Sequence, residues 1–396
     1  MKLFLPLLSL ALCAAQPASG FMSGLDVLER DHFQQLKGKR VGLITNKTAV
    51  DRSGRSAIDV LFASDQLTLV ALFGPEHGLR ADQPAGAPVD DSKDKKTGLP
   101  IYSLYGKTKQ PTDEMLRGID TLVFDIQDVG TRFYTYLATM AMAQEEASKR
   151  HIGFVVLDRP NPIGGTVMEG HVLEDPDPKD PTGYFPVPTR HGLTPAEMAR
   201  LNADVKGLQK PTIIALQGWN REMLFDQTGY DWIAPSPNIK DLDAAIVYPG
   251  IGCFEATNIS VGRGTDSPFL WFGAPWMDAK KVVKALKAAK IAGMDFAVEK
   301  RTPSEEPYAG HACRGVALKV RDRRQVRSLD VFVHAVYALR HQKGFDMRET
   351  GSTNVVGANI FQAAFNSKKT PQDLLSEYEI SWRRFAQTRE KYLLYP

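Results

Sequence analysis

The stretch LTLVALFGPEHGLR, residues 67–80, predicts the fold of the chain and marks a candidate site at its end. Residues 67–73 are an apolar run without polar alternation, which is typical of a strand buried on both faces. A Gly-Pro pair ends the run, and Glu76 and His77 follow before a second glycine lets the backbone turn. An acid and an imidazole therefore lie just past the carboxyl end of a buried strand, where open α/β sheets bind ligands. The alternative is a surface loop whose Glu76 points into water.

Comparable apolar runs alternate with segments of helical spacing along the first two thirds of the chain. They predict further strands at residues 40–45, 121–126, 153–158, 212–216 and 244–248. Helices are predicted at residues 56–64 and 133–149, and another begins at Thr194, where Glu197 completes a capping box. This alternation predicts an α/β fold with a parallel sheet and right-handed crossovers.

Polar residues follow four of these strands directly. They are Asn46-Lys47-Thr48, Glu76-His77, the segment 125–132 and the segment 158–162. Because the carboxyl ends of parallel strands lie along one edge of a sheet, the four clusters predict a concave polar site there.

The pattern of predicted helices and strands changes near residue 271. Helices at 278–291 and 328–340, a strand at 315–320 and a helix pair or one long helix at 372–391 predict a smaller α/β unit. We therefore expect two domains, with a cleft near residues 263–276.

The first twenty residues have the pattern of a secretory signal peptide. A lysine precedes the apolar segment 3–15, and small residues follow up to position 20. The apolar segment is too short to span a bilayer, so we expect a periplasmic or secreted protein with no membrane span. A bulky leucine precedes Cys13, which makes a lipoprotein the less expected outcome. Cys253 and Cys313 would then remain, either as a disulfide or as two buried thiols.

Composition and motifs exclude several classes of function. A net charge of +3 without a basic patch argues against nucleic acid as a partner. The scattered histidines, with no HExxH and no zinc-type cysteine spacing, predict no metal. A Gly-Ile-Gly at residues 250–252 lacks the third glycine of a dinucleotide fingerprint, since Glu255 stands in its place. We therefore expect no cofactor.

Acid–base catalysis by a pair of carboxyl groups remains as the candidate mechanism. Glu76, Asp125, Asp128 and Glu255 all fall at strand ends or in loops on the presumed edge. Cleavage of a glycoside needs one carboxylic acid that protonates the leaving oxygen and a second group that assists water, attacks or stabilises charge. The alternative for Asp125 and Asp128 is to cap the helix that starts near residue 133. The aromatic residues that could contact a sugar ring, or merely fill the core, are Tyr134, Tyr136, Trp219 and Trp232.

A series of long motifs resembles one known family. In chain order they are GLITNKT (42–48), FGPEHGLR (73–80), IYSLYG (101–106), VFDIQDVGTRFYTY (123–136), LDRPNPIGG (157–165), PTRHGLT (188–194), PSPN (235–238) and YPGIGCFEATNISVGRGT (248–265). Together they are similar to the NamZ-type exo-β-N-acetylmuramidases. The resemblance implies a Rossmann-like catalytic domain at 21–265, a smaller domain at 266–396 and an active site in the cleft between them. It also implies release of β-1,4-linked N-acetylmuramic acid from the non-reducing end of peptidoglycan-derived saccharides or muropeptides.

Carried over residue by residue, the resemblance makes Glu76 the catalytic acid and places His77 beside it. Asp128 or Glu255 would be the second catalytic group. Alanine at position 256 replaces a glycine that relatives often have after this glutamate, which affects the local turn. The candidate substrate contacts are Asn46, Asp125, Gln127, Arg132, Tyr134, Arg190, Asn238, Asn258 and Arg263. Of the arginines, Arg132 or Arg263 would bind the lactyl carboxylate of the sugar, because a guanidinium matches a carboxylate with two hydrogen bonds.

Two other classes of function stay open at this point. A periplasmic protein that binds a muropeptide without cleaving it would need the arginine and aromatic contacts but no acid. A dinucleotide enzyme built on the Rossmann-like half would retain its cofactor on purification.

Overall fold

The computed structural model describes residues 20–84, 86–87, 90–357 and 360–396. The predicted signal peptide, with Cys13, lies outside the described residues except for Gly20.

In the part of the chain that the structure describes, the larger of two sheets has seven strands in the order β3-β4-β2-β1-β5-β6-β7. The strands are β1 (Arg40–Thr45), β2 (Thr68–Gly74), β3 (Ser92–Lys93), β4 (Pro100–Ser103), β5 (Thr121–Asp125), β6 (Gly153–Leu157) and β7 (Thr212–Ile214). All neighbours pair in parallel except β3, which runs antiparallel to β4 at the edge. The predicted parallel α/β sheet is thus confirmed.

Register brings the ends of the central strands together. Ile44 of β1 pairs with Phe73 of β2, and Thr45 of β1 pairs with Asp125 of β5. The loops that follow β1, β2 and β5 therefore leave the sheet side by side, as the strand-end argument requires.

Helices cover both faces of this sheet. The helices of the described ranges are α1 (Gly24–Arg30), α2 (Ala57–Phe62), α3 (Tyr136–Lys149), α4 (Pro195–Lys206), α5 (Leu242–Ile251), α6 (Ala279–Ala288), α7 (Ser328–Leu339), α8 (Glu349–Val356), α9 (Ile360–Asn366) and α10 (Pro371–Arg389). Short 3₁₀ turns lie at Gln34–Leu36, Pro181–Gly183, Phe225–Gln227, Gly252–Ala256 and Glu390–Tyr392. Leu122 and Phe124 of β5 pack in one apolar cluster while Val123 packs in another, so this strand is buried on both faces.

The capping signal at the start of α4 is confirmed. The Thr194 hydroxyl accepts a hydrogen bond from the backbone N–H of Glu197, and the Glu197 carboxylate accepts one from the backbone N–H of Thr194. Two of the free N–H groups at the helix start are thereby satisfied.

The predicted strand at 244–248 is wrong, because these residues lie within α5. The side chain of Asp241 caps the helix by accepting a hydrogen bond from the backbone N–H of Ala244 at 2.8 Å. Residues 244–251 are all buried, and a segment that is apolar all round has the same letters as a strand buried on both faces.

The smaller sheet is antiparallel, in the order β8-β10-β9. Its strands are β8 (Trp271–Ala274), β9 (Met294–Arg301) and β10 (Cys313–Val320). Helix α6 packs against β9 and β10, α7 packs on α6, and α5 packs on α7. One apolar core runs from the large sheet into this region, since Phe124 and Val316 belong to the same cluster. The two-domain division at residues 265 and 266 stays a prediction.

Cys253 and Cys313 are both buried and free. Within the described ranges, no helix combines the length and apolar character needed to cross a bilayer.

Candidate active site

The loop after β2 is a tight turn that projects Glu76 and His77 from the sheet edge. The backbone N–H of Gly78 donates to the carbonyl of Pro75 at 2.9 Å, which closes the turn around the two residues. His77 has φ 68° and Gly78 has φ 72°, both in the left-handed region. Gly78 adopts this conformation freely, whereas a histidine adopts it only where the surroundings hold it.

Both oxygens of the Glu76 carboxyl are hydrogen-bonded, and only 8% of the residue is exposed. Oε1 accepts a hydrogen bond from the backbone N–H of Gly86 at 2.7 Å, and Oε2 lies 2.6 Å from the Thr135 hydroxyl. Tyr105 also lies beside this carboxyl, and its pKa is raised by burial and then by the charge of Glu76. The alternative of a solvated Glu76 is therefore wrong.

Thr135 occupies the N-cap position of α3 without capping it. Its hydroxyl is hydrogen-bonded to Glu76, and no side chain caps the helix. The alternative in which Asp125 or Asp128 caps this helix is therefore wrong. A residue at a helix start is instead used to orient the carboxyl that follows β2.

Asp128 is almost fully buried in the turn that follows β5. Its Oδ2 accepts a hydrogen bond from the backbone N–H of Gly130 at 2.6 Å, while Oδ1 has no partner among the described residues. Burial raises the pKa of Asp128 to about 7, although hydrogen bonds from the backbone N–H groups of Gly130 and Val129 act to lower it. His191 lies 4.0 Å from Oδ2, and burial lowers its pKa to about 3, so it is neutral and leaves the Asp128 charge uncompensated.

A cluster of tyrosines connects the candidate carboxylates. The rings of Tyr134 and Tyr136 lie 4.7 Å apart, and those of Tyr134 and Tyr248 lie 5.9 Å apart. Burial raises the pKa of Tyr136, and the charges of Glu76 and Asp128 raise it further. Burial likewise raises the pKa of Tyr248, with further contributions from the charges of Glu255 and Glu76. Carboxylates from three separate segments thus act on one aromatic cluster.

Glu255 and Arg263 form an ion pair on the chain segment that leads to the small sheet. Nε and Nη2 of Arg263 both donate to Oε1 of Glu255, at 2.9 and 2.5 Å. The guanidinium also lies over the ring of Phe269, 5.2 Å from its centroid. The side chains of Arg263 and Glu255 are 18% and 35% exposed, so the pair is accessible from solvent.

Two of the predicted substrate-binding arginines, Arg132 and Arg190, are instead buried and bonded to other groups of the protein. Arg132 donates through Nη1 to the carbonyls of His171 and Val187 and through Nη2 to those of Asn354 and Val355. These bonds use all four hydrogens of its two Nη atoms. Arg190 is 1% exposed and pairs with Glu169 at 2.9 Å.

Asp125, Gln127 and Asn258 also serve internal contacts. Asp125 is fully buried and forms a two-point ion pair with Arg159, at 2.6 and 2.9 Å. Gln127 donates through Nε2 to the carbonyls of Asp128 and Pro160, both at 2.8 Å. The Asn258 side chain donates to the carbonyl of Gly344 and accepts a hydrogen bond from the backbone N–H of Asp346.

Asn46 lies beside the tyrosine cluster, and Asn238 is buried three residues after a segment that is bonded to it. Asn46 accepts from the backbone N–H and hydroxyl of Thr48, and its side chain lies beside Tyr136. Asn238 is 5% exposed. It follows a segment that is anchored where the Tyr136 hydroxyl donates to the carbonyl of Pro235 at 2.5 Å.

Sequence reasoning assigned no role to Tyr105 or Thr135, although both fall inside quoted motifs. The signal that could have found them is their position in IYSLYG and VFDIQDVGTRFYTY, in the segments that follow β4 and β5 of the same sheet. Among all the described residues, no group of three or more histidine, cysteine or acidic side chains is arranged to hold a metal ion.

Comparison with known proteins finds matches that cover nearly the whole chain. The family models described as exo-β-N-acetylmuramidase NamZ, N-terminal and C-terminal, match residues 41–243 and 246–395. The peptidoglycan β-N-acetylmuramidase NamZ of Bacillus subtilis is 41% identical over 377 residues, which cover 94% of this chain and 91% of the relative.

Two solved structures share the fold. Both are DUF1343 family proteins from Bacteroides fragilis. One has a TM-score of 0.85 at 35% identity, and the other a TM-score of 0.73 at 27% identity. Each match covers 95% of this chain and 99% of the solved chain.

Proposed function

The chain belongs to the NamZ family of exo-β-N-acetylmuramidases, which are glycoside hydrolases, and we propose that it releases N-acetylmuramic acid from peptidoglycan fragments. The bond cleaved is the β-1,4 link of the sugar at the non-reducing end. The observation that carries this proposal is the Glu76 carboxyl, which lies on the sheet edge with both of its oxygens held in place.

Glu76 is the general acid in this proposal. A backbone N–H can only donate, so the Gly86 amide requires Oε1 to be an acceptor. A hydroxyl can donate or accept, so the contact with Thr135 is compatible with a proton on Oε2. Oε2 is therefore the oxygen that gives its proton to the departing glycosidic oxygen.

Arg263, rather than Arg132, binds the lactyl carboxylate in this proposal. Both Arg263 donors that are in use reach one oxygen of Glu255, and Nη1 has no partner among the described residues. A carboxylate of the substrate can accept from Nη1 while Glu255 holds the guanidinium in orientation. Arg132 has no Nη hydrogen left to offer.

The role of Glu76 is tested with the variant Glu76→Gln and a chromogenic β-glycoside of N-acetylmuramic acid. Loss of a general acid lowers the rate by about 10²–10⁴-fold, so we expect aglycone release to fall in that range with the melting temperature nearly unchanged. Asp82→Asn is the matched control, because Asp82 lies exposed on the same loop. Near wild-type release by Glu76→Gln would contradict the assignment. Binding of the glycoside by the wild type without release would favour the non-catalytic alternative.

The role of Arg263 is tested by comparing the muramic glycoside with its N-acetylglucosamine analogue, which lacks the lactyl group. A hydrogen bond to a charged group contributes about 1.5–3 kcal/mol, so Arg263→Gln should lower kcat/KM for the muramic substrate about 10- to 150-fold. The analogue should lose far less. Arg301→Gln is the matched control, since Arg301 pairs with Glu299 at 2.8 Å and is similarly exposed. Equal losses on both substrates would exclude the carboxylate contact.

We also propose that the protein is exported, on the pattern of its first twenty residues. Cell fractionation of the full chain tests this, and a protein found only in the cytoplasm would contradict it.

A further inference from the structure

The imidazole of His77 is held in one defined tautomer. Its Nδ1 lies 2.6 Å from the backbone carbonyl of Gln83. A carbonyl can only accept, so Nδ1 carries the hydrogen and Nε2 of the neutral ring carries a lone pair. Nε2 has no hydrogen-bond partner among the described residues, so that lone pair is unused within the protein.

The charges around His77 favour the neutral ring. Burial is the main cause that lowers its pKa, and the cations Arg263 and Lys47 lower it as well. The Glu76 carboxylate and the Gln83 carbonyl act in the opposite direction, and the net shift is downward. A neutral imidazole with a free Nε2 can accept a proton at and below neutral pH.

His77 and Glu76 are presented by one turn and share their surroundings. The charge of Arg263 acts on His77, and the charges of Arg263, Glu255 and Glu76 all act on Tyr248. His77 therefore lies near both the proposed acid and the proposed lactyl contact. The turn holds His77 at φ 68°, a left-handed conformation that non-glycine residues adopt mainly where the surrounding structure imposes it, often at functional sites.

The two carboxylates that sequence reasoning offered as the second catalytic group are less suited to accept a proton from water. Asp128 is 3% exposed and is bound into its own turn, and Glu255 is neutralised by Arg263. His77 is similarly buried, at 4% exposed, but its neutral ring takes part in no ion pair and its Nε2 forms no hydrogen bond among the described residues.

We propose that Nε2 of His77 is the general base that deprotonates the hydrolytic water. This inference rests on the proposed function and completes its second catalytic group. The water oxygen bonds to the anomeric carbon as the bond to the glycosidic oxygen breaks. The leaving oxygen takes the proton of Glu76, and His77 takes one proton of the water. Transfer of that proton from His77 to Glu76 through solvent restores the starting state.

The proposal predicts the stereochemistry of the product. Water activated by a base attacks the face opposite the leaving group, so a β-glycoside yields the α-anomer. A carboxylate nucleophile would instead give retention through a covalent intermediate.

The closing experiment uses the full chain with His77→Asn, His77→Gln and the control Asp82→Asn. Asparagine tolerates the left-handed backbone at position 77, and Asp82 lies exposed on the same loop. Release by the wild type is measured first. A wild type that releases no sugar would overturn the proposed function and this inference together. With an active wild type, kcat of both His77 variants should fall about 10²–10⁴-fold, with KM and melting temperature nearly unchanged, while Asp82→Asn keeps full activity.

Azide then separates a lost base from a merely disturbed site. Azide attacks without deprotonation, so it should restore aglycone release in the His77 variants and yield the glycosyl azide of inverted configuration. The acidic limb of the wild-type kcat/KM profile, set by protonation of His77 in the field of Glu76, Arg263 and Lys47, should vanish in the variants. Folded variants without azide rescue, an unchanged acidic limb, or a β-anomer released by the wild type would each overturn the assignment.

Discussion

Replacing Arg132 by methionine should destabilise the protein without changing its preference for the muramic substrate. The guanidinium joins two distant parts of the chain. Through Nη1 it holds the carbonyls of His171 and Val187, at 3.0 and 2.7 Å. Through Nη2 it holds those of Asn354 and Val355, at 3.3 and 2.8 Å, in the last turn of α8.

The size of the effect follows from these four bonds and from burial of the charge. A hydrogen bond to a charged group contributes at least about 1.5 kcal/mol, so the four together contribute about 6 kcal/mol. Burial lowers the pKa of Arg132 from 12.5 to about 10, which corresponds to a desolvation cost of about 3 kcal/mol. Methionine does not incur that cost. We therefore expect the free energy of unfolding to fall by about 3 kcal/mol.

Urea unfolding followed by fluorescence measures this change, and the two chromogenic glycosides measure substrate preference. Arg263→Met is the comparison variant. Its partly exposed ion pair contributes less than about 1 kcal/mol, so it should remain stable while losing preference for the muramic sugar. If Arg132→Met kept wild-type stability and lost that preference, the division of roles between the two arginines would be refuted.

Two further predictions concern stability. A Cβ at Gly250 would lie 1.9 Å from the carbonyl oxygen of Ser328, so Gly250→Ala should separate α5 from α7 and lower the free energy of unfolding by about 3 kcal/mol or more in urea unfolding; an unchanged midpoint would contradict this close contact. Asp128 has a folded pKa of about 7, above its ordinary 3.8, so the native state binds the proton more tightly and this group's contribution to stability is lost as pH rises from about 4 to 7. Asp128→Asn removes that loss, and its free energy of unfolding relative to wild type should rise by about 2 kcal/mol between pH 5 and pH 7.5; a difference independent of pH would show that the carboxyl is ionised throughout.

Local signals in the sequence were sufficient for most of the large sheet. The apolar runs of β1, β2, β5 and β6 are buried on both faces, so their letters depend little on which neighbour they meet. The start of α4 was predictable because a capping box is satisfied within four residues. Helix α5 was not, since burial on all sides removes the periodicity that distinguishes a helix from a strand.

The order of strands and loops in the sequence also determined that Asn46, Glu76 and Asp128 emerge at one edge of the sheet. Only the tertiary structure decided which side chains there remain free to meet a substrate. Arg132 is committed to carbonyls more than 220 residues further along the chain, while Arg263 keeps a donor unused. Glu76 owes its orientation to Thr135, which lies 59 residues away in sequence. Such commitments depend on contacts between segments that only folding brings within a few ångströms, and no local pattern of residues encodes them.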